Sequence, residues 1–307
     1  MGSRARSRGN SIAVRAVAGA ALIVSSVLMA TTSGASSGPV TTTTTTTTPS
    51  APTTSGGSSA GSPDVTTGGG ASAEWGWDTF GGSTALTASY LSTAKSDYGG
   101  HYPADAGLYL DHGSSGLLTS AVVSAVRNDG IGIYLISDLA DSSTGQAGTG
   151  SKSAQQQGAA DAATAASYAE NTLHVPANDG IAIYADNENT TAIASGYITG
   201  WYNTLEADGF IPGFYANPTS GDFNGAFCGT SSTVQSGTIL WMDEPNGGMA
   251  NKYYPTAPWN PSVPSCLNGS TQTVAGWQFL NGLTFPGIPA GAMTFDLDSF
   301  SPVGAWY

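Results

Sequence analysis

Short apolar segments alternate with longer stretches of helical periodicity through most of the chain. Eight segments have the length and the aromatic and β-branched content of strands, at 74–78, 106–111, 131–136, 181–188, 210–215, 238–242, 274–279 and 292–297. Four stretches between them predict helices, at 84–96, 116–128, 154–173 and 191–207. This alternation predicts an α/β fold with a parallel sheet buried on both faces.

Three of the predicted helices lead into the next strand through an Asp-Gly pair, at 129–130, 179–180 and 208–209. Glycine there suits a helix C-cap or the tight turn that follows it. Eight strands of this kind favour a single closed (β/α)8 TIM-type barrel, irregular in its last helices, over an open doubly wound sheet. No GxGxxG motif follows the first strand, which removes the usual argument for a dinucleotide fold.

The first 73 residues show neither pattern. Residues 1–36 contain four arginines, no acid and an apolar run at 16–30, which predicts a secretory signal peptide, with an uncleaved membrane anchor as the alternative. Residues 37–73 are mostly Thr, Ser, Gly and Pro, including eight consecutive threonines at 41–48, and predict a disordered linker. The remaining 74–307 form one predicted domain. We therefore expect a protein that is secreted or associated with the cell envelope, without a stable membrane span after cleavage.

The charge of the chain limits its partners. The formal net charge is −13, from 8 basic and 21 acidic residues, and it becomes more negative when the four arginines of the signal peptide are removed. Such acidity argues against nucleic acid, anionic lipid or teichoic acid as partners, whereas a neutral glycan is not repelled.

The two cysteines, Cys228 and Cys266, predict one disulfide in an oxidising compartment. A metal or nucleophilic site has less support, because the chain has no CxxC motif and its three histidines are scattered. We expect neither a metal nor another cofactor, although a Ca²⁺ or Mg²⁺ site on clustered acids remains an alternative. Serine hydrolase, zinc protease and P-loop motifs are absent from the sequence.

An Asp-x-Glu motif ends the fourth predicted strand. Because successive strand side chains alternate faces, Asp186 and Glu188 are expected on one side, roughly 7 Å apart along the backbone. Two carboxyls on one face repel each other, so that one of them is expected to hold its proton near neutral pH. Glycoside hydrolysis uses such a pair as acid and as base or stabiliser.

The barrel prediction gives this pair further partners. Active sites of such barrels lie at the C-terminal ends of the strands, and closure would bring Asp78 and Asp296 together, across from the fourth strand. Helix capping or solvation is the preferred explanation for the other acids at strand ends, which are Asp111, Asp138, Asp243 and Glu244. Five aromatic residues are candidate platforms for sugar rings, with core packing as the alternative: Trp77, Tyr109, Tyr215, Trp241 and Trp277.

Several short motifs occur in order along these strands: Trp-Asp at 77–78, Tyr-Ala-Asp-Asn-Glu at 184–188, Gly-Phe-Tyr at 213–215, Gly-Trp-Gln-Phe at 276–279 and Phe-Asp-Leu-Asp at 295–298. Over about 74–300 the chain resembles the actinobacterial glycoside-hydrolase-like domain of unknown function, which is related to the glycoside hydrolase family 25 lysozymes. The resemblance implies that Glu188 is the general acid and that Asp186 stabilises a charged intermediate.

The same resemblance matches Asp78 and Asp296 to acids of the first and last strands, and Tyr215, Trp277, Gln278 and Phe279 to the aromatic and amide positions of the site. The chain departs from the lysozyme pattern at Gly-Trp-Asp-Thr-Phe, 76–80, and in the loops of 244–264. We expect a monomeric hydrolase of peptidoglycan or another envelope polysaccharide. The alternative is a catalytically inactive barrel that binds such a glycan or serves an envelope interaction.

Overall fold

A curled sheet lies at the centre of the structure. Its strands are β1 Val65–Thr66, β2 Ser72–Thr79, β3 Asp105–Asp111, β4 Gly132–Ser137, β5 Ala182–Asn187, β6 Ile211–Ala216, β7 Ile239–Asp243, β8 Val274–Leu283 and β9 Phe295–Phe300. Strands β2 to β8 are parallel and neighbour one another in chain order. Strand β9 pairs antiparallel with both β8 and β2, so that each strand from β2 to β9 has a neighbour on both sides.

This computed structural model describes residues 65–66, 72–79, 84–97, 103–111, 118–138, 147, 153–188, 192–244, 259–271, 273–283, 295–300 and 305–306. The predicted signal peptide and nearly all of the predicted linker lie outside these residues, as does most of the 244–264 segment. Among the described residues, no helix has the length and apolar character needed to cross a membrane.

The predicted α/β class is confirmed, and a strand is found at each of the eight predicted places. A regular (β/α)8 barrel is not confirmed, because the last strand runs antiparallel to the other seven. The chain leaves β8 at Leu283 and enters β9 at Phe295, which is close to the shortest connection that a parallel crossover allows, about a dozen residues. An antiparallel return needs no crossover and is therefore favoured by a connection of this length.

The four predicted helices are present as α1 Thr84–Asp97, α2 Ser120–Asn128, α3 Ala154–Tyr168, which continues as a π-helical turn over Ala169–Leu173, and α4 Ser195–Ala207. After β6 the helices are short, as expected: α5 Phe223–Cys228, α6 Ser232–Gly237 and a 3-10 turn at Ser265–Leu267. The glycines of the three Asp-Gly pairs have φ values of 67°, 75° and 82°, which confirms their predicted turn conformation.

Two hydrophobic layers hold the fold together. The outer layer lies between the sheet and the helices, and its core includes Phe214, Ala216 and Trp277. The inner layer is enclosed by the sheet and contains Tyr109, Tyr134, Ile136, Ala182, Tyr184, Tyr215 and Trp241. The Trp241 ring packs edge-to-face on Tyr184 and Tyr215, at centroid distances of 5.6 and 5.1 Å. The space beneath the C-terminal strand ends is thus filled by aromatic rings.

Three glycines make room for these rings. A Cβ atom on Gly107 or Gly276 would overlap the ring of Trp241, and one on Gly213 would overlap the ring of Tyr184. The absence of side chains at these strand positions therefore lets the largest side chains fill the interior. The predicted disulfide is also confirmed: Cys228, at the end of α5, is bonded to Cys266 in the 3-10 turn with an S–S distance of 2.14 Å.

Candidate active site

Carboxyl groups and phenols meet at the C-terminal ends of β2, β3, β5 and β6. Asp186 on β5 is in register with Tyr215 on β6, and Asp78 on β2 is in register with Gly107, two residues before Tyr109 on β3. Asp78 and Asp186 are 1% and 2% exposed, whereas Glu188, which follows β5 directly, is exposed to solvent. The site therefore combines two buried carboxyls with one that solvent can reach.

The electrostatics of the two tyrosines show which acids lie near each other. Burial raises the pKa of Tyr109 well above its ordinary value, and the negative charges of Asp186, Asp78, Glu188 and Asp138 raise it further. The structure therefore brings three of the four predicted acids, Asp78, Asp186 and Glu188, around one phenol.

Tyr215 lies in the same electrostatic environment. Burial is again the largest cause of its strongly raised pKa, followed by Asp78, and Asp243 and Glu188 contribute as well. Both phenols consequently remain neutral hydrogen-bond donors throughout the pH range in which a carboxyl pair would work.

A chain of hydrogen bonds holds Asp78 in place. Gln278 Nε2 donates to Asp78 Oδ2 at 3.1 Å, and the backbone N–H of Asp78 donates to Asp298 Oδ2 at 2.9 Å. Trp241 Nε1 donates to the other oxygen of Asp298, also at 2.9 Å. Asp298 is fully buried. These bonds tie β2, β7, β8 and β9 together below the site, and they give Gln278 a positioning role toward Asp78.

Some of the other predicted site residues lie elsewhere. Trp77 and Trp277 belong to the outer layer and are 2% and 6% exposed. Their strand neighbours Asp78 and Gln278 meet across the interior, so alternation turns both indoles the other way. Trp241 is fully buried at the centre of the inner layer.

Of the five candidate platforms, Tyr109 and Tyr215 thus adjoin the acids. Asp296 is paired with Asp78 in the backbone register of β9 and β2, and its side chain lies outside the described part of the structure.

Sequence reasoning gave too little weight to four polar residues. Asp138 and Asp243 act electrostatically on Tyr109 and Tyr215, although their positions after strands had been attributed to capping or solvation. The sequence pattern assigns no separate role to Asp298 beside Asp296, and none to Asn217, which follows β6 directly. The one feature of the sequence that could have identified Asp138, Asp243 and Asn217 is their position at the C-terminal end of a strand.

The described part of the site does not form a metal centre. Within the described ranges, no group of three or more His, Cys, Asp and Glu side chains is arranged to hold a metal ion. The arrangement suits proton transfer and electrostatic stabilisation by carboxyls, which need no metal.

The buried phenols lead to a prediction for alkaline stability. Tyr109, Tyr184 and Tyr215 have raised pKa values in the folded protein, mainly through burial. Above about pH 10 the unfolded chain loses these phenolic protons while the folded chain keeps them, so that stability must fall as the pH rises. We expect each of the three to contribute about 1.4 kcal/mol per pH unit to this fall.

Urea unfolding between about pH 9 and 11.5 measures this slope. Tyr215→Phe should make the slope shallower, whereas Tyr90→Phe on α1 serves as a control for the loss of a half-buried phenol. Equal slopes for the wild-type protein and Tyr215→Phe would contradict the expectation.

Comparisons with known proteins connect this site to a family. Residues 99–274 match a family model described as "Rv2525c-like, glycoside hydrolase-like domain". The match confirms the resemblance to a glycoside-hydrolase-like domain that the strand motifs indicated. No curated protein matches the chain.

Several solved structures align with this chain. An uncharacterized B. stearothermophilus protein aligns with a TM-score of 0.58 and 25% identity, over 73% of this chain and 94% of that one. The catalytic domain of endolysin ply40 from bacteriophage P40 of Listeria monocytogenes aligns with a TM-score of 0.46 and 12% identity, over 75% and 94%. The bacterial lysozyme from Streptomyces coelicolor aligns with a TM-score of 0.44 and 16% identity, over 76% and 94%.

Proposed function

The chain belongs to the family of Rv2525c-like, glycoside hydrolase-like domains, and we propose that it is a secreted glycoside hydrolase that cleaves peptidoglycan or another polysaccharide of the cell envelope. The observation that carries the proposal is the placement of Asp78, Asp186 and Glu188 around the phenol of Tyr109. Glycosidases use two carboxyls on either side of the scissile bond, one as acid and the other as base, nucleophile or stabiliser.

Glu188 is the proposed general acid. Its carboxyl is exposed, so a glycosidic oxygen can approach it, and Asp78, Asp186 and Glu188 all act electrostatically on the phenol of Tyr109. As the bond between the leaving oxygen and the anomeric carbon breaks, its electron pair stays on that oxygen, which takes the proton of Glu188. A water molecule then adds to the anomeric carbon and returns a proton to the Glu188 carboxylate.

Asp186 and Asp78 are the proposed stabilising carboxylates. Both are buried, so their negative charges act in a medium of low dielectric constant, where they stabilise the positive charge that develops at the anomeric carbon. Alternatively, one of them orients an acetamido group of the substrate for attack on that carbon, which needs no protein nucleophile. Gln278 holds Asp78 for either role.

Neutral phenols complete the proposed site. Tyr109 and Tyr215 keep their protons because of burial and the surrounding negative charge, and their hydroxyls can donate to a carboxylate or to the sugar. In this proposal a neutral glycan is the substrate, no metal or other cofactor takes part, and the protein acts as a monomer outside the cytoplasm. The predicted signal peptide at 1–36 supports a place outside the cytoplasm, and the acidic net charge of −13 supports a neutral glycan as the substrate.

Release of reducing ends from purified cell-wall polysaccharide tests the proposal. The full chain should generate new reducing ends at a rate that rises with protein concentration, and the released fragments should be resolved by mass spectrometry. A protein that sediments with the wall polysaccharide but releases nothing from any preparation would favour the alternative function, a catalytically inactive glycan-binding barrel. A protein that neither cleaves nor binds would contradict both.

A further inference from the structure

Asn217 and the proposed acid, Glu188, each follow the last paired residue of two neighbouring strands. Strands β5 and β6 are parallel, and their last paired residues are Asn187 and Ala216. The next residues along the two strands are Glu188 and Asn217. Adjacent parallel strands lie about 4.8 Å apart, so these two residues are neighbours at the rim of the sheet.

The alternation along β6 turns Asn217 toward the interior. Phe214 and Ala216 pack in the outer layer, and Tyr215 between them packs in the inner layer. Asn217 is the next residue in this alternation and therefore shares the side of Tyr215. Tyr215 itself feels the negative charge of Glu188, which places this side of β6 at the acid cluster.

Hydrogen bonds fix the orientation of the Asn217 amide. The backbone N–H groups of Thr219 and Ser220 donate to Asn217 Oδ1 at 2.9 and 3.0 Å, and the Thr219 hydroxyl donates to the same atom at 2.9 Å. A backbone N–H can only donate, so the atom at this position must be the carbonyl oxygen. The Nδ2 atom is consequently turned away from the 218–220 turn.

The Nδ2 atom is left as an unused donor. No hydrogen bond from Asn217 Nδ2 to another described residue is present, although the residue is only 7% exposed. Nδ2 is not among the fully buried side-chain atoms of the described residues that lack a partner, so the exposed part of Asn217 includes this atom. A ligand oxygen can therefore reach it and accept its hydrogen bond. The position beside Glu188 is where a sugar ring would lie during cleavage.

We infer that Asn217 is a sugar-recognising residue, whose Nδ2 amide donates a hydrogen bond to an acceptor oxygen of the saccharide unit held beside Glu188. Two acceptors of a neutral glycan have the required chemistry, the carbonyl oxygen of an acetamido group and a ring hydroxyl. This inference rests on the proposed function, since it needs a saccharide in the site.

The substitution Asn217→Asp removes the Nδ2 donor but keeps an acceptor for the hydrogen bonds of the 218–220 turn. An aspartate keeps an oxygen for Thr219 and Ser220, and it replaces the Nδ2 donor with a second acceptor that repels a sugar oxygen. The added charge would also act on Glu188, so the experiment uses a Glu188→Gln background, in which position 188 is neutral and turnover is not measured. A second variant, Asn217→Ser, removes the amide without adding charge.

Calorimetric titration with the N-acetylglucosamine tetramer and with cellotetraose measures the effect. In the Glu188→Gln background, both Asn217 variants should raise the dissociation constant about tenfold or more, because a buried hydrogen bond to the ligand is lost. Asn203→Asp, on the exposed face of α4, adds the same charge away from the site and should leave the constant unchanged. Circular dichroism and melting curves identify variants that fail to fold.

The pattern of loss identifies the acceptor. Weaker binding of the N-acetylated tetramer alone indicates the acetamido carbonyl, and equal weakening for both tetramers indicates a hydroxyl. If the Glu188→Gln protein binds a tetramer and both folded Asn217 variants in that background bind it equally well, the inference is wrong while the proposed function stands. If the parent protein binds neither tetramer nor any wall glycan, the proposed function fails, and the inference fails with it.

Discussion

Replacing Glu188 by Gln is expected to lower the rate of reducing-end release from wall polysaccharide by about 10² to 10⁴-fold, which is the usual contribution of a general acid. Glutamine has nearly the shape of glutamate but no acidic proton to give to the leaving oxygen. Because Glu188 is exposed and follows the last residue of β5, the substitution should leave the fold and the melting temperature unchanged. Initial rates for the two proteins at equal concentration measure the effect.

A matched variant and a second substrate make the result specific to acid catalysis. Glu206→Gln, on the exposed face of α4, changes the same functional group away from the site and should not alter the rate. An aryl glycoside with a good leaving group needs little protonation, so Glu188→Gln should lose much less activity on it than on the polysaccharide. Equal losses on both substrates, or full activity of Glu188→Gln on the wall, would contradict the assigned role.

The local pattern of the sequence was sufficient for the strand positions. The apolar run that leads into Asp186 has the length of a strand and is directly followed by the acid pair, and the structure places β5 over Ala182–Asn187. The Asp-Gly pairs were equally informative, since the positive φ of Gly130, Gly180 and Gly209 is a local requirement of the turn. Such features depend on nearest neighbours in the chain.

The direction of the last strand was not accessible in the same way. The alternation of segments makes β9 look like one more parallel repeat, whereas its reversed direction is favoured by the short connection from Leu283 to Phe295. The number of strands was therefore predictable, whereas the regular barrel was not.

The site was predictable only where it follows from the alternation of side chains along a strand. Since neighbours in a strand face opposite layers, Trp77 and Asp78 must point to opposite sides of the sheet, and so must Trp277 and Gln278. In contrast, Asp298 obtains its role from Asp78 and Trp241, which are 220 and 57 residues away in the sequence. No local pattern reveals a hydrogen bond of that range.

Asp298 is also a residue whose loss should strongly destabilise the fold. Its two oxygens accept from the Trp241 indole and from the Asp78 backbone, and the carboxyl is fully buried. Asp298→Ala would leave both N–H donors without this acceptor and would open a cavity below the site. We expect the free energy of unfolding to fall by about 3 to 5 kcal/mol, a large share of the 5 to 15 kcal/mol typical of a domain.

Urea denaturation with the disulfide intact measures this change, and Asp298→Asn isolates its cause. Asparagine fills the same space, but it presents an N–H₂ group to one of the two N–H donors, so it should still cost about 1 to 3 kcal/mol. Asp208→Asn, in the exposed turn after α4, removes a carboxylate without either hydrogen bond and should change stability by less than about 0.5 kcal/mol. If Asp298→Asn is as stable as the wild-type protein, the closure of β2 on β9 does not depend on this carboxylate. The position of Asp78 would then rest on Gln278 and on the backbone pairing of β2 with β9.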